Sequence, residues 1–146
     1  MKNASAARKL SFIIAIVSAM ALWPAALRAD EGNMDLVHKY AWGENDGWWN
    51  MRPTHAGATV ANLGVYGYTW HENLGWIKLA VDGNPPYENT DSTNWGVNND
   101  AHGNLTGYAW SEKGGWVNFN PTHSQVLIDA SGNFSGYAWS ESLGWI

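Results

Sequence analysis

The sequence predicts an all-β domain. Its antiparallel β-meander hairpins occur in four copies, in a solenoid-like stack or a curled sandwich. Three observations predict this. One aromatic motif occurs four times along the chain. Each copy alternates strand-forming residues around a short segment ending in glycine. No stretch beyond the N-terminal thirty residues shows the 3.6-residue apolar period of a helix.

The N-terminal segment comes first. Lys2, Arg8 and Lys9 precede an uncharged run, Leu10–Leu22, which Trp23 and Pro24 end. Thirteen apolar residues are too few to span a bilayer and suit a secretory signal. The spacing predicts a signal peptide over 1–29, cleaved after Ala29; the alternative is an uncleaved anchor. The mature domain is then 30–146, with no membrane span after cleavage. It keeps four basic residues, Lys39, Arg52, Lys78 and Lys113, and all 13 acidic ones, a formal charge of 4 − 13 = −9. An exported acidic chain lacks the cationic surplus that phosphate contacts need, which excludes nucleic-acid binding. The absence of cysteine excludes disulfides, thiolate zinc sites and iron–sulfur clusters.

The four motif copies lie near 40–51, 68–79, 108–119 and 137–146. Five positions are common to all four: Tyr40, Trp42, Glu44, Gly47 and Trp48; Tyr68, Trp70, Glu72, Gly75 and Trp76; Tyr108, Trp110, Glu112, Gly115 and Trp116; Tyr137, Trp139, Glu141, Gly144 and Trp145. A four-residue Glu-x-x-Gly loop would pair His71 with Trp76, Trp70 with Ile77 and Tyr68 with Leu79. In the third copy it would pair Trp110 with Val117 and Tyr108 with Phe119, and in the first Trp42 with Trp49. On that count Tyr and the first Trp of each motif face the core. The second Trp (Trp48, Trp76, Trp116, Trp145) lies on the opposite face among small and polar residues. There it either covers neighbouring glycine or stands out as a platform for a sugar ring or another subunit.

A third strand is expected before the later copies. Val97–Gly107 aligns with Val126–Gly136, both containing Asp-Ala-x-Gly-Asn turn chemistry, and Thr59–Val65 is a shorter version. Residues 83–94, with the adjacent prolines Pro85 and Pro86, read as an inserted loop.

Tyr108-Ala-Trp-Ser-Glu112 and Gly115-Trp-Val, like Tyr137-Ala-Trp-Ser-Glu141 and Gly144-Trp-Ile146, are preceded by Asp-x-x-Gly-Asn segments. Together they resemble a Trp-rich repeat of exported bacterial surface proteins. The resemblance covers nearly the whole mature chain. It implies a product that is secreted, periplasmic or displayed on a bacterial surface, and it implies no reaction.

No catalytic residue, cofactor or metal site is expected. The four glutamates open tight loops and suit acceptance of loop N–H or indole N–H groups, whereas a hydrolase needs two carboxylates in one cleft. Asp100 and Asp129 supply one carboxylate per turn, too few for calcium. His38, His55, His71, His102 and His123 show no ligand spacing. The sequence therefore predicts a non-enzymatic structural or protein-interaction module. Its fourth copy ends at Ile146, before its expected apolar partner. That unfinished strand predicts head-to-tail pairing with itself or another repeat chain, and it leaves open whether the chain is a fragment of a longer repeat protein. The alternative is a carbohydrate-binding module that uses the second Trp of each motif on a polysaccharide.

Overall fold

A computed structural model describes residues 32–43, 45 and 47–146. The expected signal peptide at 1–29 and the motif residue Glu44 lie outside the described residues.

The described chain is all-β and antiparallel, as expected. The four motif segments form four hairpins: β1 (Tyr40–Gly43) with β2 (Gly47–Asn50), β4 (Gly64–His71) with β5 (Gly75–Lys78), β7 (Leu105–Ser111) with β8 (Gly115–Asn118), and β11 (Trp139–Ser140) with β12 (Gly144–Trp145). These eight strands follow one another in a single hydrogen-bonded path, β1-β2-β4-β5-β7-β8-β11-β12. The third-strand segments appear as β3 (Ala58–Val60), β6 (Val97–Asn99) and β9 (Leu127–Ile128). β3 pairs with β4, β6 with both β4 and β7, and β9 with the short β10 (Phe134–Ser135).

Glycine lets one strand serve two partners. The first half of β7 pairs with β6 and its second half with β8. Gly107 sits at the changeover with φ +86°. A Cβ there would lie 2.2 Å from the Gly96 carbonyl oxygen. The close backbone approach thus requires a residue without a side chain and tolerant of positive φ.

The sheet curls. Trp49 on β2 and Phe119 just beyond β8 have ring centroids 6.2 Å apart. On a flat sheet those strands stand four spacings apart, about 19 Å. A Cβ on Gly144, at the fourth turn, would lie 3.7 Å from the Asn45 amide nitrogen at the first turn. The concave face encloses one core in which Trp49, Ile77, Val117 and Ile146 meet Leu79, Leu105, Phe119 and Val126.

The register differs from the expected one by one residue. His71 pairs with Gly75, Thr69 with Ile77, and Trp70 with Trp76. The third hairpin repeats this: Ser111 with Gly115, Ala109 with Val117, Trp110 with Trp116. Only three residues turn the chain. The glycine, at φ +71° in the second hairpin, is the first rung of the returning strand and not the last loop residue. Because side chains alternate with period two, that single rung exchanges the faces. Tyr68 and Trp70 are therefore not core residues. Thr69 and Ile77 are fully buried, whereas Tyr68, Trp70 and Trp76 are 45%, 40% and 49% exposed.

Packing explains why this register wins. Each hairpin puts a small residue on its first strand opposite a large one on its second: Ala41 with Trp49, Thr69 with Ile77, Ala109 with Val117. Ala138 and Ile146 exchange two 3.0 Å backbone hydrogen bonds in the fourth hairpin. The interior of an eight-strand curl is only wide enough for such small–large pairs. Twelve motif indoles and phenols do not fit inside it.

Side chains at the turns lock each hairpin to the one before. Ser111 Oγ donates to the Leu74 carbonyl at 3.0 Å and accepts from the Lys113 and Gly114 N–H groups. Ser142 Oγ donates to the Gly114 carbonyl at 2.9 Å.

Candidate binding face

The convex face of the curl is lined with aromatic side chains. Both Trp residues and the Tyr of each motif point outward, so the second Trp does not lie alone among small neighbours. Trp48 packs edge-to-face on Trp42 at 4.8 Å, Trp76 on Trp70 at 5.2 Å, Trp116 on Trp110 at 4.7 Å and Trp145 on Trp139 at 5.0 Å. Tyr40, Tyr108 and Tyr137 pack on the other side of Trp48, Trp116 and Trp145. These contacts fix ring orientation in the free protein.

The ladders between hairpins arrange these rings in rows that cross the strands. One row runs Tyr40–Asn50–Trp70–Trp76. The next runs Tyr68–Lys78–Trp110–Trp116. The third runs Tyr108–Asn118–Trp139–Trp145. Every row holds a Tyr and a polar residue from one hairpin and both Trp residues of the next. Each spans three strand spacings, about 14 Å. The sequence motif is therefore not the unit of the face, because each row is shared between two hairpins.

The glutamates border the rows. Glu72 Oε2 accepts from the Trp48 N–H at 3.2 Å, and the Glu72 N–H donates to the Trp48 carbonyl at 3.1 Å. It thus accepts a backbone N–H, but from the neighbouring hairpin and not from its own loop. Ile77 pairs with Ser111, so the next position sets Glu112 beside Trp76. Likewise Val117 pairs with Ser140, and Glu141 follows beside Trp116. Glu112 and Glu141 are exposed. Gly47, Gly75, Gly115 and Gly144 all carry positive φ at the turns.

Asp100 and Asp129 are turn residues. Asp100 accepts from the His102 and Asn104 N–H groups and from the Asn104 amide at 2.6 Å. Asp129 does the same with Ser131, Asn133 and the Asn133 amide at 3.0 Å. The side-chain amide leads in holding both carboxyls below the ordinary aspartate range, and the backbone N–H groups add to it.

The inserted segment builds a wall beside the second hairpin. Tyr87 is buried against Gly96, and its N–H donates to Asn98 Oδ1. Asn89 Oδ1 accepts from the Gly96 N–H at 2.9 Å. Trp95, just past the insertion, packs edge-to-face on Trp116 at 5.2 Å and half-covers it. Between the insertion and the hairpin lies a groove of about 670 Å³. Tyr66, Tyr68, Tyr87 and Trp76 form its aromatic walls. Lys78 Nζ lies 2.9 Å from Asp82 Oδ1 and 5.7 Å from the Tyr68 ring centroid. Burial lowers the Lys78 ammonium, but the bond to Asp82 and its neighbours' charges outweigh it, and the net shift is upward. Burial likewise raises the Tyr87 phenol.

Sequence reasoning missed Tyr66, Tyr87, Lys78 and Asp82. The only available signal was a tyrosine inside an insertion, and nothing local says where an insertion folds back.

No protein-family model matches this chain, nor does any curated protein or solved structure.

Proposed function

We propose that this chain is an exported, non-enzymatic module that binds a glycan chain along its convex aromatic rows. One observation carries the reading: Trp70 pairs with Trp76, which turns both motif indoles outward in one face. An exposed aromatic face of this size marks an interaction surface. Its composition favours sugar. Indole faces stack on the C–H faces of pyranose rings, while Asn50, Lys78, Asn118 and the bordering glutamates meet hydroxyls. Successive hairpins repeat every two strand spacings, about 10 Å, which is the length of a disaccharide in an extended chain. Rings already held edge-to-face lose little freedom on binding.

Titration of intrinsic tryptophan fluorescence with neutral plant and bacterial polysaccharides tests this. Binding shifts the spectrum, and the Trp76→Ala, Trp116→Ala double variant loses retention on the immobilised polymer. No spectral change in the parent chain with any of them refutes the reading.

The structural or protein-interaction reading has a separate support. Among the described residues β1 and β12, the two ends of the strand path, each pair on one side only. Such edges accept a strand from another chain. Sedimentation across a concentration series distinguishes the two, because edge pairing makes mass depend on concentration without glycan.

A further inference from the structure

We propose that the groove beside the second hairpin is the subsite for the end of that glycan, and that it takes neutral pyranose units. The inference rests on the glycan-binding reading and adds a place and a chemical class to it.

The groove lies at the Tyr68–Lys78 end of the middle row, so a chain lying over Trp110 and Trp116 runs into it across Lys78. Its volume falls in the range of small-molecule sites and suits a mono- or disaccharide. Tyr66, Tyr68 and Trp76 come from the hairpin strands, Tyr87 from the insertion, and His55 and Ala56 from the loop before β3. Tyr68 and Trp76 are the exposed rings of those walls, and the Lys78–Asp82 pair offers a donor and an acceptor 2.9 Å apart. Adjacent hydroxyls on a pyranose both accept and donate, so one diol satisfies both partners.

The pair also sets the charge preference. Asp82 already neutralises Lys78 and is 96% exposed, so it faces whatever enters. The chain carries a net −5, and Glu112 borders the adjacent row. A uronate carboxylate would meet the Asp82 carboxylate, and the lysine in the groove's lining is already bonded to that group.

The second hairpin differs from the first and third at the position of Lys78. In the first and third hairpins the position of Lys78 is held by Asn50 and Asn118, whose side chains accept the N–H groups of Arg52 and Asn120 two residues on. Only the second hairpin is followed by the insertion at 83–94. The insertion therefore closes the Tyr68–Lys78 end of the middle row, which gives a glycan chain on that row a direction.

Calorimetric titration of the purified chain with cellohexaose, mannohexaose, chitohexaose and oligogalacturonate tests the inference. Asp82→Ala, Lys78→Met and Trp139→Ala are compared, with thermal unfolding checking that each remains folded. At least one neutral hexaose binds, and Asp82→Ala and Lys78→Met each weaken it about tenfold, the effect of losing a charged hydrogen bond. Oligogalacturonate binds more weakly than that hexaose. Parent-like affinity in Asp82→Ala and Lys78→Met, with binding lost in Trp139→Ala, overturns the groove and leaves the aromatic face standing. Oligogalacturonate binding as tightly as the neutral hexaoses overturns the neutral assignment. No binding of any glycan by the parent chain overturns both the groove and the face.

Discussion

Trp49 Nε1 donates a hydrogen bond to Thr69 Oγ1 at 2.7 Å inside the core, and the Thr69 hydroxyl in turn donates to the Ile77 carbonyl at 3.4 Å. Each of these residues is an exception to its motif. Trp49 stands where Ile77, Val117 and Ile146 stand in the other hairpins, and Thr69 stands where Ala41, Ala109 and Ala138 stand. The two exceptions explain each other. A buried indole N–H needs an acceptor, and the neighbouring hairpin supplies one at a position otherwise given to alanine.

Thr69→Ala strands the Trp49 N–H and lowers stability by about 1–3 kcal/mol. Trp49→Ile removes the donor and leaves unfilled volume. The double variant restores the aliphatic–alanine combination of the third and fourth hairpins, so its cost falls below the sum of the single costs by about 1 kcal/mol or more. Urea denaturation of the four proteins measures this. Strict additivity removes the coupling.

The register predicts a disulfide. Trp70 and Trp76 are directly opposite, so Trp70→Cys with Trp76→Cys oxidises to an intrachain bridge. Trp70→Cys with Ile77→Cys does not, because those side chains point to opposite faces. The chain has no cysteine of its own, so thiol titration after mild oxidation reads the result directly. The reverse outcome would restore the four-residue loop.

Two glycines of similar φ separate backbone strain from steric conflict. Gly132 and Gly136 both have φ +84°, but a Cβ on Gly132 meets nothing within 4 Å, whereas one on Gly136 lies 1.9 Å from the Gln125 carbonyl oxygen. Gly132→Ala costs about 1–2 kcal/mol from the left-handed backbone alone. Gly136→Ala costs distinctly more by chemical denaturation, since two backbone segments in close contact must part. Equal costs would mean that the close approach relaxes freely.

Acid destabilises the two Asp turns. Asp100 and Asp129 are held below the ordinary aspartate value of 3.8, chiefly by the Asn104 and Asn133 amides. A carboxyl lowered in the folded state contributes stability that is present above 3.8 and lost as pH falls through its folded value. The thermal midpoint therefore drops as pH falls below 3.8. The Asp100→Asn, Asp129→Asn variant shows a shallower drop over the same range. An acid limb identical in both proteins would remove these turns as its source.

The local features were legible in the sequence. Strand-forming runs, the turns at Asp100 and Asp129, the third strands at 58–60, 97–99 and 127–128, and the insertion at 83–94 each depend on residues within a few positions of one another. The motif also marked the residues that line the convex face, because large aromatics recurring at fixed positions have a common environment whichever side they take. Tertiary structure decided which side that is. The answer turns on whether Gly75 counts as loop or rung, and with a side-chain period of two one residue reverses the whole hairpin. The small interior of the curl selects the rung, since it accepts Ala109 against Val117 and leaves no space for Trp110 against Trp116. Nothing short of the folded curl brings Thr69 to Trp49, Glu72 to Trp48, or Tyr87 across from Trp76. Those contacts join segments far apart in sequence, and the spacing within one motif holds no record of its neighbour.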